Sequence, residues 1–484
     1  MTHPVINESV FPMIRFQRLS TDECQRLHWA GLEILERVGM RLYLQEAVDL
    51  LKKGGADIED GNLAFVPPGM VEKALSTAPD RVVLCDRHGR PVMPLEGSRC
   101  FYGPGSDCMH IVDHRTGARR QPVLADVVEG TVLCDALPHV NFVMSMVVPS
   151  DVTDVLADRY QMQAMLSHTT KPIIVVTYDL DGLVDAIEMA ERVVGGEAAL
   201  RRRPLTACYI NVATGLRHNK EALQKLLFLA AKRLPALYIP VSTCGVSAPV
   251  TPAGAIAVDY AGTLLGLVLS QLQQEGAPFI TTGMQPSPLD LRTLTSPYCD
   301  AERGFAQAMS HFYNLPQFAL GGATDSKVVD QQAAAEAALT LLTETLGGGN
   351  LIHDLGYLAS GLTFSFAQLV ICDEIVSWIQ AFVNGIEISE ETLALDLIAE
   401  YQDQGPWLES DHTDRNFRRR WYPDLFERAD YETWLDRGGQ DLGQRAASRV
   451  AAILEEHRPE ALPQDVQKEL EAIVARAGDR AKIS

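Results

Sequence analysis

Residues 317–354 read QFALGGATDSKVVDQQAAAEAALTLLTETLGGGNLIHD and contain one complete structural repeat. A short apolar run, 317–322, ends in two glycines and predicts a buried strand. A charged stretch with Asp325, Lys327 and Asp330 follows, and an Ala/Leu-rich run that ends at Gly347 predicts a helix. The next apolar run, 350–354, predicts a second strand. This order of strand, loop, helix and strand is the unit of a parallel α/β fold.

Runs of the same kind recur from residue 99 onward, with amphipathic helical patterns between them. Each run is short and continuously apolar, as expected of parallel strands that are buried on both faces. About eight such units between residues 99 and 390 predict an α/β fold of the (β/α)₈ TIM-barrel type. The sequence lacks the glycine-rich GxGxxG and GxxxxGKS/T motifs that would favour a doubly wound sheet. The predicted strands are RCFYG (99–103), NFVMSMV (141–147), PIIVVTY (172–178), LTACYINV (205–212), LYIPVST (237–243), PFITTG (278–283), QFALGG (317–322) and NLIHD (350–354).

Two flanking segments complete the predicted organisation. Residues 1–98 form a mixed α/β extension, in which Ser20 and Glu23 match a capping box and RVVLCDRHGRPVMPL (81–95) predicts a hairpin that turns at Gly89. Residues 391–484 form a helical appendix with two amphipathic helices near its end. The FRRRWY cluster (417–422) lies among acidic residues, so it favours a salt-bridge patch over a nucleic-acid contact.

The composition restricts the cellular compartment and the classes of partner that we expect for this protein. The chain has 42 basic and 63 acidic residues, and its net charge of −21 disfavours nucleic acid and anionic membranes. Nine scattered cysteines without a CxxC motif predict reduced thiols, and the N-terminus has no signal-peptide pattern. The most apolar helical stretch, 255–272, contains Asp259 and falls short of a membrane span. We expect a cytoplasmic protein that binds neither nucleic acid nor a membrane.

The active site of such a barrel lies at the carboxyl ends of its strands. The side chains predicted there are mostly aromatic and neutral polar groups, with few acid–base pairs. This lining suits a cation that needs no proton transfer, because each aromatic face holds a quaternary ammonium group with ~0.5–2 kcal/mol. The residues at or just beyond the predicted strand ends are Tyr102, Asp107, Met146, Tyr178, Asn211, Thr243, Thr282, Met284, Asp325, Lys327, His353 and Tyr357.

Other chemistries stay open from the residues alone. Cys108, His110 and His114 lie close together in CMHIVDH (108–114) and fit a zinc-dependent barrel enzyme, but MHIVDHRTGARRQP (109–122) also fits a β-hairpin with a Thr-Gly turn. The turn GPGSD (103–107) fits an anion site as well as a plain turn. A non-catalytic binder of small cationic metabolites on the same fold is a further alternative.

Six long motifs, in order along nearly the whole chain, resemble the trimethylamine methyltransferase family. The resemblance implies a (β/α)₈ barrel that moves a methyl group from a methylated amine to the Co(I) corrinoid of a small partner protein. The chain has only standard residues, so it is similar to the branch without pyrrolysine, which is glycine betaine methyltransferase-like and acts on quaternary amines. The motifs are YGPGSDCMHIVDHRTGARR (102–120), NFVMSMVVPSDV (141–152), APVTPAGAIAVDYAGTLLGLVLSQL (248–272), GGATDSKVVDQQAAAEAAL (321–339), GGGNLIHDLGYLASGLTFSFAQLVICDEI (347–375) and FRRRWYPDLFERADYETWL (417–435).

The resemblance also implies a simple mechanism and a set of pocket residues. A quaternary ammonium leaves as a neutral amine, so the protein needs no general acid and no metal of its own; it must bind the cation, exclude water and align the reacting atoms. Position within the motifs assigns Tyr102, Asn211 and His353 to the pocket. Some relatives have an arginine where this chain has Gln317, so either a substrate carboxylate has another anchor, Lys327 or Arg292, or the substrate differs from glycine betaine.

The resulting predictions are specific. His353 and Asp325 are predicted to be catalytic, the corrinoid (cobalamin) is supplied by the partner protein, and a homo-oligomer stays open. We also expect Thr324 or Asp325 to cap the helix, with Lys327 and Asp330 forming a charged rim that meets substrate or corrinoid. The predicted substrate-binding residues are Tyr102, Asp107, Tyr178, Asn211, Thr243, Lys327, Tyr357 and Gln317.

Overall fold

A computed structural model describes residues 16–482, and its elements are numbered here along the chain. The N-terminal part contains three helices, a small sheet and one hairpin. The capping box is confirmed, because the Ser20 hydroxyl accepts from the Glu23 N–H and the Glu23 carboxylate accepts from the Ser20 N–H. The elements are α1 (Thr21–Glu33), β1 (Met40–Leu42), α2 (Gln45–Gly54), β2 (Asp57–Glu59), β3 (Leu63–Phe65), α3 (Pro68–Thr77), β4 (Val82–Cys85) and β5 (Pro91–Leu95).

Seven parallel strands form the central sheet, in the order β6-β15-β14-β13-β12-β10-β9. Each of them falls on one of the predicted apolar runs, so the parallel α/β fold is confirmed at this level. Nearly every strand residue is buried, which explains why the runs are apolar throughout. The strands are β6 (Phe101–Pro104), β9 (Ile173–Val176), β10 (Thr206–Val212), β12 (Ala236–Pro240), β13 (Phe279–Thr282), β14 (Gln317–Leu320) and β15 (Leu351–Leu355).

The eighth predicted run, 141–147, is not a regular strand, yet its backbone pairs with both edges of the sheet. The Asn141 N–H donates to the Tyr102 carbonyl of β6 at 2.6 Å, and the Val143 N–H donates to the Pro172 carbonyl before β9 at 2.9 Å. The amide oxygen of Asn141 also accepts from the Tyr102 N–H at 2.9 Å. A side chain thus replaces part of the ladder, which is why the run lacks regular strand geometry while joining the two edge strands.

A half-buried lysine, Lys171, holds the start of this irregular run. The ammonium of Lys171 donates to the carbonyls of Cys134 at 2.6 Å, Leu137 at 2.8 Å and Val140 at 2.6 Å. These carbonyls belong to the end of a helix and the segment after it, which lack backbone partners of their own. Lys171 therefore fixes the chain just before residue 141.

Helices cover the outside of the sheet. The longest of them, α9, is buried along nearly its whole length, which accounts for its apolar sequence. α9 and α12 are long and apolar enough to cross a membrane. In their most apolar stretches of 18 residues, however, 89% and 67% are buried inside the protein, as in core helices. The helices of this layer are α4 (Leu124–Ala136), α5 (Ala157–His168), α6 (Leu180–Val194), α7 (Glu197–Arg202), α8 (Lys220–Lys232), α9 (Pro252–Gln273), α10 (Phe305–Phe312), α11 (Gln331–Leu346) and α12 (Phe366–Val383).

An apolar core fills the space enclosed by the strands. It combines side chains from the central strands with those of the β4–β5 hairpin, which is confirmed and turns at Gly89. The hairpin therefore closes this space at one end. The members of the core are Val82, Leu84, Met93, Leu95, Phe101, Phe142, Met144, Ile174, Ala207, Leu237, Ile239, Ile280, Phe318 and Leu351.

Two further groups of elements flank the sheet. A small four-stranded sheet lies beyond the strand ends and contains the predicted hairpin of residues 110–120, as β7 (His110–Val112) and β8 (Arg119–Arg120), with β16 (Tyr357–Leu358) and β17 (Thr363–Ser365). β11 (Arg217–His218) joins the N-terminal sheet. The C-terminal helices are α13 (Glu390–Leu393), α14 (Leu395–Tyr401), α15 (Asp411–Asn416), α16 (Tyr431–Asp436), α17 (Leu442–Glu456) and α18 (Gln464–Ala481).

The two longest C-terminal helices pack on the outer helices of the sheet. α17 contacts α12 and α4, and α18 contacts α6 and α5. Within the FRRRWY cluster, Arg419 pairs with Glu387 at 3.0 Å, and the Trp421 ring stacks on Trp378 at 5.8 Å. These contacts agree with a structural patch. The domain borders at residues 98 and 390 stay predictions.

Candidate active site at the open end of the strands

The interior of the sheet opens toward the carboxyl ends of its strands. Along β10, Ala207 is buried, Tyr209 is half-buried and Asn211 is exposed; along β9 and its end, Ile174 is buried and Tyr178 is 51% exposed. Alternate residues of one strand point to the same face. Exposure therefore increases from the hairpin end of the interior to the opposite end, where the interior meets solvent; we call this opening the cavity.

Three neighbouring rings form the floor of this cavity; two of them are stacked and the third is tilted against both. The His353 imidazole lies on the Phe318 ring with centroids 3.9 Å apart, and Tyr209 contacts Phe318 at 5.3 Å and His353 at 6.5 Å. The rings come from β15, β14 and β10, so three different strands converge on one place. The prediction that His353 faces the interior is in agreement with this arrangement, whereas its catalytic role stays a prediction.

His353 and Asp354 form a coupled pair whose proton positions follow from their partners. The His353 Nδ1 lies 2.7 Å from the Ala319 carbonyl, which can only accept, so Nδ1 carries the hydrogen. Nε2 then presents a lone pair to Asp354 Oδ1 at 3.3 Å. Burial lowers the pKa of His353 to about 3 and raises that of Asp354 well above its usual value. A neutral imidazole facing a protonated carboxyl satisfies both groups.

The backbone at Asp354 is unusual. Its φ of +86° lies in the left-handed region, and the pairing of β15 with β6 shifts register between Ile352 and Leu355. Asp107 and Met146, which follow two neighbouring strand segments, also have positive φ values, of 70° and 64°. Strained residues of this kind gather at functional sites because the surrounding structure must hold them in place.

Asp107 provides a second carboxyl group to the same cavity. Its side chain reaches solvent through the opening and accepts from the Ser106 hydroxyl at 2.9 Å, while the surrounding protein raises the pKa of the carboxyl. Burial raises the pKa of Tyr209 and Tyr298, and the charges of Asp107 and Asp354 raise both further. Both tyrosines therefore lie within electrostatic reach of both carboxyls.

Tyr357 also lies beside these carboxyl groups, next to the segment that follows β6. Its hydroxyl donates to the Ser106 carbonyl, and its pKa is raised by burial and by the nearby Cys108, Asp354 and Asp107. A Cβ atom built on Gly105 would collide with both the Asp354 carboxyl and the Tyr357 hydroxyl. Residue 105 must therefore be glycine for the two side chains to converge.

The basic groups nearest the two carboxyls are already bound to other partners. Lys225 acts on Asp107 electrostatically, but its ammonium donates to the Thr177 carbonyl at 2.6 Å. Arg303 acts on Asp354 in the same way, but its guanidinium pairs with Glu344 at 2.7 Å. The His353 imidazole beside Asp354 is also basic, but burial lowers its pKa to about 3 and keeps it neutral. The cavity is therefore acidic.

Two predicted pocket residues point away from the cavity. Tyr102 is fully buried on the outer face of β6, where its hydroxyl lies 2.8 Å from the Thr345 hydroxyl of α11. Gln317 is equally buried at the start of β14, and its amide nitrogen lies 3.1 Å from the Gly348 carbonyl and 3.2 Å from His311. Their assignment to the substrate pocket is wrong, because alternate residues of a strand face opposite sides.

The charged stretch after β14 has structural roles that differ from the predicted ones. The Asp325 carboxylate accepts from the N–H groups of Tyr298 at 2.9 Å and Cys299 at 3.2 Å and from the Ser360 hydroxyl at 2.7 Å. It thus ties the loop after β13 to the turn between β16 and β17. This arrangement gives Asp325 an anchoring role, and its catalytic role stays a prediction.

The helix cap and the charged rim also differ from prediction. Asp330 caps α11 by accepting from the Ala333 N–H at 2.9 Å, whereas Thr324 donates to Glu336 at 2.6 Å. Lys327 is exposed and donates back to the Asp325 carbonyl at 2.6 Å. Arg292 is 89% exposed and pairs with Asp290. The structure therefore does not place Lys327 or Arg292 as a carboxylate anchor.

The three zinc candidates are not brought together. The Cys108 thiol donates to the Gly361 carbonyl at 3.2 Å, His110 Nδ1 lies 2.8 Å from Arg119, and the His114 ring packs on Phe366 at 5.5 Å. Within residues 16–482 no group of three or more His, Cys, Asp or Glu side chains could hold a metal ion. The hypothesis of a zinc centre built from these residues is wrong.

Sequence reasoning identified some cavity residues and missed others. Tyr178 and Asn211 lie at the exposed ends of their strands, and Thr243 is half-buried with its N–H donating to Ser247 at 2.9 Å. Their substrate contacts stay predictions. Asp354, Tyr209 and Tyr298 were missed, although Asp354 adjoins His353 in NLIHD and Tyr209 precedes Asn211 by two positions on the same strand face.

The parallel sheet and its acidic, ring-lined cavity define an α/β protein whose open end suits a small cation. The family model described as trimethylamine methyltransferase matches residues 3–481. The chain belongs to the trimethylamine methyltransferase family, and the predicted enzyme class, a methyltransferase of the methylamine or betaine type, is confirmed.

Curated relatives match over nearly their whole length. A trimethylamine methyltransferase of Desulfitobacterium hafniense is 31% identical over 95% of this chain and 94% of its own. A glycine betaine methyltransferase of Desulfitobacterium hafniense is 26% identical over 96% of this chain and 98% of its own. A trimethylamine methyltransferase of Methanosarcina barkeri is 28% identical over 96% of both chains.

The fold is similar to solved structures of a related activity. The monomethylamine methyltransferase of Methanosarcina barkeri superposes with a TM-score of 0.50 at 13% identity, covering 91% of this chain and 88% of that one. A hydroxylamine complex of monomethylamine methyltransferase gives a TM-score of 0.51 with the same identity and coverage. At this identity the likeness shows the fold alone.

Proposed function

We propose that the protein transfers a methyl group from a methylated ammonium cation, in the first place a quaternary amine, to the Co(I) corrinoid of a partner protein. The observation that carries this proposal is the cluster of Asp107 and Asp354 with the rings of Tyr209, Tyr298 and Tyr357 at the open end of the strands. Carboxyl groups and aromatic faces attract an ammonium group without reacting with it. Such a site binds and orients the cation.

The proposed reaction balances without an acid or base from the protein. The C–N bond breaks and its electron pair stays on nitrogen, which leaves as a neutral amine; the Co(I) corrinoid supplies the electron pair for the new bond to the methyl carbon. The positive charge on nitrogen disappears as the bond breaks, so a site that held it too tightly would slow the step. A protonated Asp354 beside an ionisable Asp107 offers a cation about one negative charge rather than two.

The architecture supports entry of the methyl acceptor from one side. We treat the seven strands and the segment 141–147 as an eight-unit barrel, since this segment is hydrogen-bonded to β6 and to the residue that precedes β9. The β4–β5 hairpin fills the opposite end of the interior. A bulky acceptor can then approach the cavity only at the carboxyl ends of the strands, where barrel enzymes have their active sites.

The surroundings of the cavity support a protein partner there. The loops that follow the strands present a series of exposed large apolar side chains, which we call the apolar rim. An exposed apolar patch bounded by polar residues is typical of an interaction site, and we propose that it contacts the corrinoid-binding protein. The apolar rim consists of Met109, Val155, Val246, Val250, Leu291, Leu294, Val328 and Leu362.

A substrate panel with chemically reduced cob(I)alamin tests the proposed function. Quaternary and tertiary methylamines are incubated with the protein, and the methylcobalamin absorbance is followed. We expect methyl transfer from at least one cation, and a KM increase of about 2- to 30-fold in Tyr209→Ala because one aromatic face is lost. The exposed Tyr431→Ala, in the C-terminal segment, serves as the matched control. Tight cation binding without any methyl transfer would instead indicate a non-catalytic binder.

A further inference from the structure

We infer that the substrate is a methylated ammonium cation that carries no carboxylate, its remaining substituent being a hydrocarbon or a hydroxyl group. The inference rests on the proposed function and concerns the selectivity of the same cavity. It separates cations of the choline type from betaines, which share the trimethylammonium group and differ in the charge of the tail.

The first observation is that two carboxyl groups face one space. A carboxyl of Asp354 and the hydroxyl of Tyr357 converge on Gly105, and Asp107 follows only two residues later. Asp107 acts on Asp354, on Tyr209 and on Tyr178, which lie on different strands around the opening. A ligand in this space is therefore flanked by the ionisable Asp107 and the protonated Asp354, and neither carboxyl group carries a positive charge.

The second observation is that the basic groups acting on the two carboxyls, among residues 16–482, already have partners and are not free to balance a substrate carboxylate. Lys225 is buried with its ammonium on the Thr177 carbonyl, and Arg303 is buried with its guanidinium on Glu344 and on the carbonyl of Tyr298 at 3.2 Å. Each of these two cations is therefore paired within the protein. Besides the neutral His353 imidazole, they are the basic groups among the described residues that act on the two carboxyls.

The basic residues that sequence reasoning offered as carboxylate anchors do not change this balance. Gln317 is on the outer face of its strand, Lys327 donates to the backbone of its own loop, and Arg292 is in solvent with Asp290. A carboxylate placed in the cavity would thus lie near Asp107 without a compensating charge. Like charges brought together in this way disfavour a ligand strongly.

Choline and glycine betaine form a matched pair of ligands for the test, because they differ only in a terminal hydroxymethyl or carboxylate group. Calorimetric titration of the full chain should give a Kd for choline about 100-fold lower than that for glycine betaine. In Asp107→Asn the ratio of the Kd for glycine betaine to the Kd for choline should fall by about tenfold, because the charge that repels the carboxylate is removed. Asparagine tolerates the positive φ at residue 107, so the variant keeps the backbone.

Asp57→Asn, an exposed change in the N-terminal sheet, should leave the ratio unchanged and serves as control. Equal or tighter binding of glycine betaine, or no binding of either ligand, would overturn the inference. Methyl transfer to cob(I)alamin separates the two proposals. Transfer from glycine betaine but not from choline would overturn the inference and leave the proposed function intact. Selective choline binding, with no methyl transfer from any cation, would overturn the proposed function and leave the inferred selectivity of the cavity intact.

Discussion

The Nε2 atom of His353 lies 3.3 Å from Oδ1 of Asp354, while its Nδ1 atom lies 2.7 Å from the Ala319 carbonyl. The carbonyl fixes the tautomer, and the tautomer requires a hydrogen on the Asp354 carboxyl if the pair is to bond without charges. His353 and Asp354 are consecutive residues, and Asp354 has a positive φ. The carboxyl group of Asp354 thus lies beside the imidazole ring that forms part of the cavity floor. The pair sets both the orientation of the imidazole and the charge that a ligand meets.

The first prediction concerns the backbone and the hydrogen bond at Asp354. Asp354→Ala should lower the free energy of unfolding by about 2–3 kcal/mol, because alanine lacks the polar side chain that helps Asp and Asn adopt this positive φ, and because the bond to His353 is lost. Asp354→Asn should lower it by less than about 1 kcal/mol, since asparagine tolerates the conformation and its amide can donate to Nε2. Urea unfolding of both variants measures the difference. Equal losses would contradict the proposed pairing.

The fold could be predicted from the sequence because its strands are short apolar runs that differ clearly from the helices between them. The run 141–147 was predicted as a strand, and its irregular form depends on the Asn141 amide and on Lys171, contacts that no local pattern encodes. Pocket residues were harder, because a shift of one residue along a strand reverses the face. Tyr102 and Gln317 were assigned to the wrong face for this reason, and Tyr209 was overlooked.

The second prediction separates anchoring from catalysis at Asp325. Asp325→Ala removes three hydrogen bonds between loops, so we expect the unfolding free energy to fall by about 1–3 kcal/mol and the methyl-transfer rate to fall with it. Asp330→Ala, which removes only the cap of α11, should cost about 1 kcal/mol and leave the rate unchanged. A large loss of rate at full stability in Asp325→Ala would restore the catalytic assignment.

The third prediction concerns the apolar rim. Leu291 and Val246 are 77% and 67% exposed, and a charge at either position should weaken docking of a corrinoid-binding protein. We expect Leu291→Asp and Val246→Asp to raise the KM for the partner protein by about tenfold or more. The rate with free cob(I)alamin should not change, because the small acceptor needs no docking surface.

Leu408→Asp tests whether any exposed leucine has the same effect. Leu408 is 86% exposed but belongs to the C-terminal segment, so its substitution should leave both acceptors unaffected. If Leu291→Asp and Val246→Asp lowered the rate with free cob(I)alamin while Leu408→Asp did not, the apolar rim would support the cavity itself and the docking role would be excluded.

The last prediction is a pH dependence of stability from Asp259, which is buried in α9. Its two oxygens accept from the Ser242 hydroxyl at 2.5 Å and from the Ser242 N–H at 3.0 Å. Burial nevertheless raises its pKa to about 7, from the usual 3.8. Between these two values the folded chain binds more protons at this site than the unfolded chain, so the contribution of Asp259 to stability falls as pH rises from about 4 to about 7.

Asp259→Asn removes this titration while keeping a side chain of similar shape. The variant should therefore gain stability relative to the unmodified protein as the pH is raised from 5 to 8, since only the latter must bury a carboxylate at the higher pH. Denaturant titrations at the two pH values give the difference, and Asp57→Asn controls for a carboxylate that stays in water. A constant difference between variant and unmodified protein would mean that Asp259 keeps one charge state throughout, with its hydrogen bonds to Ser242 outweighing the effect of burial.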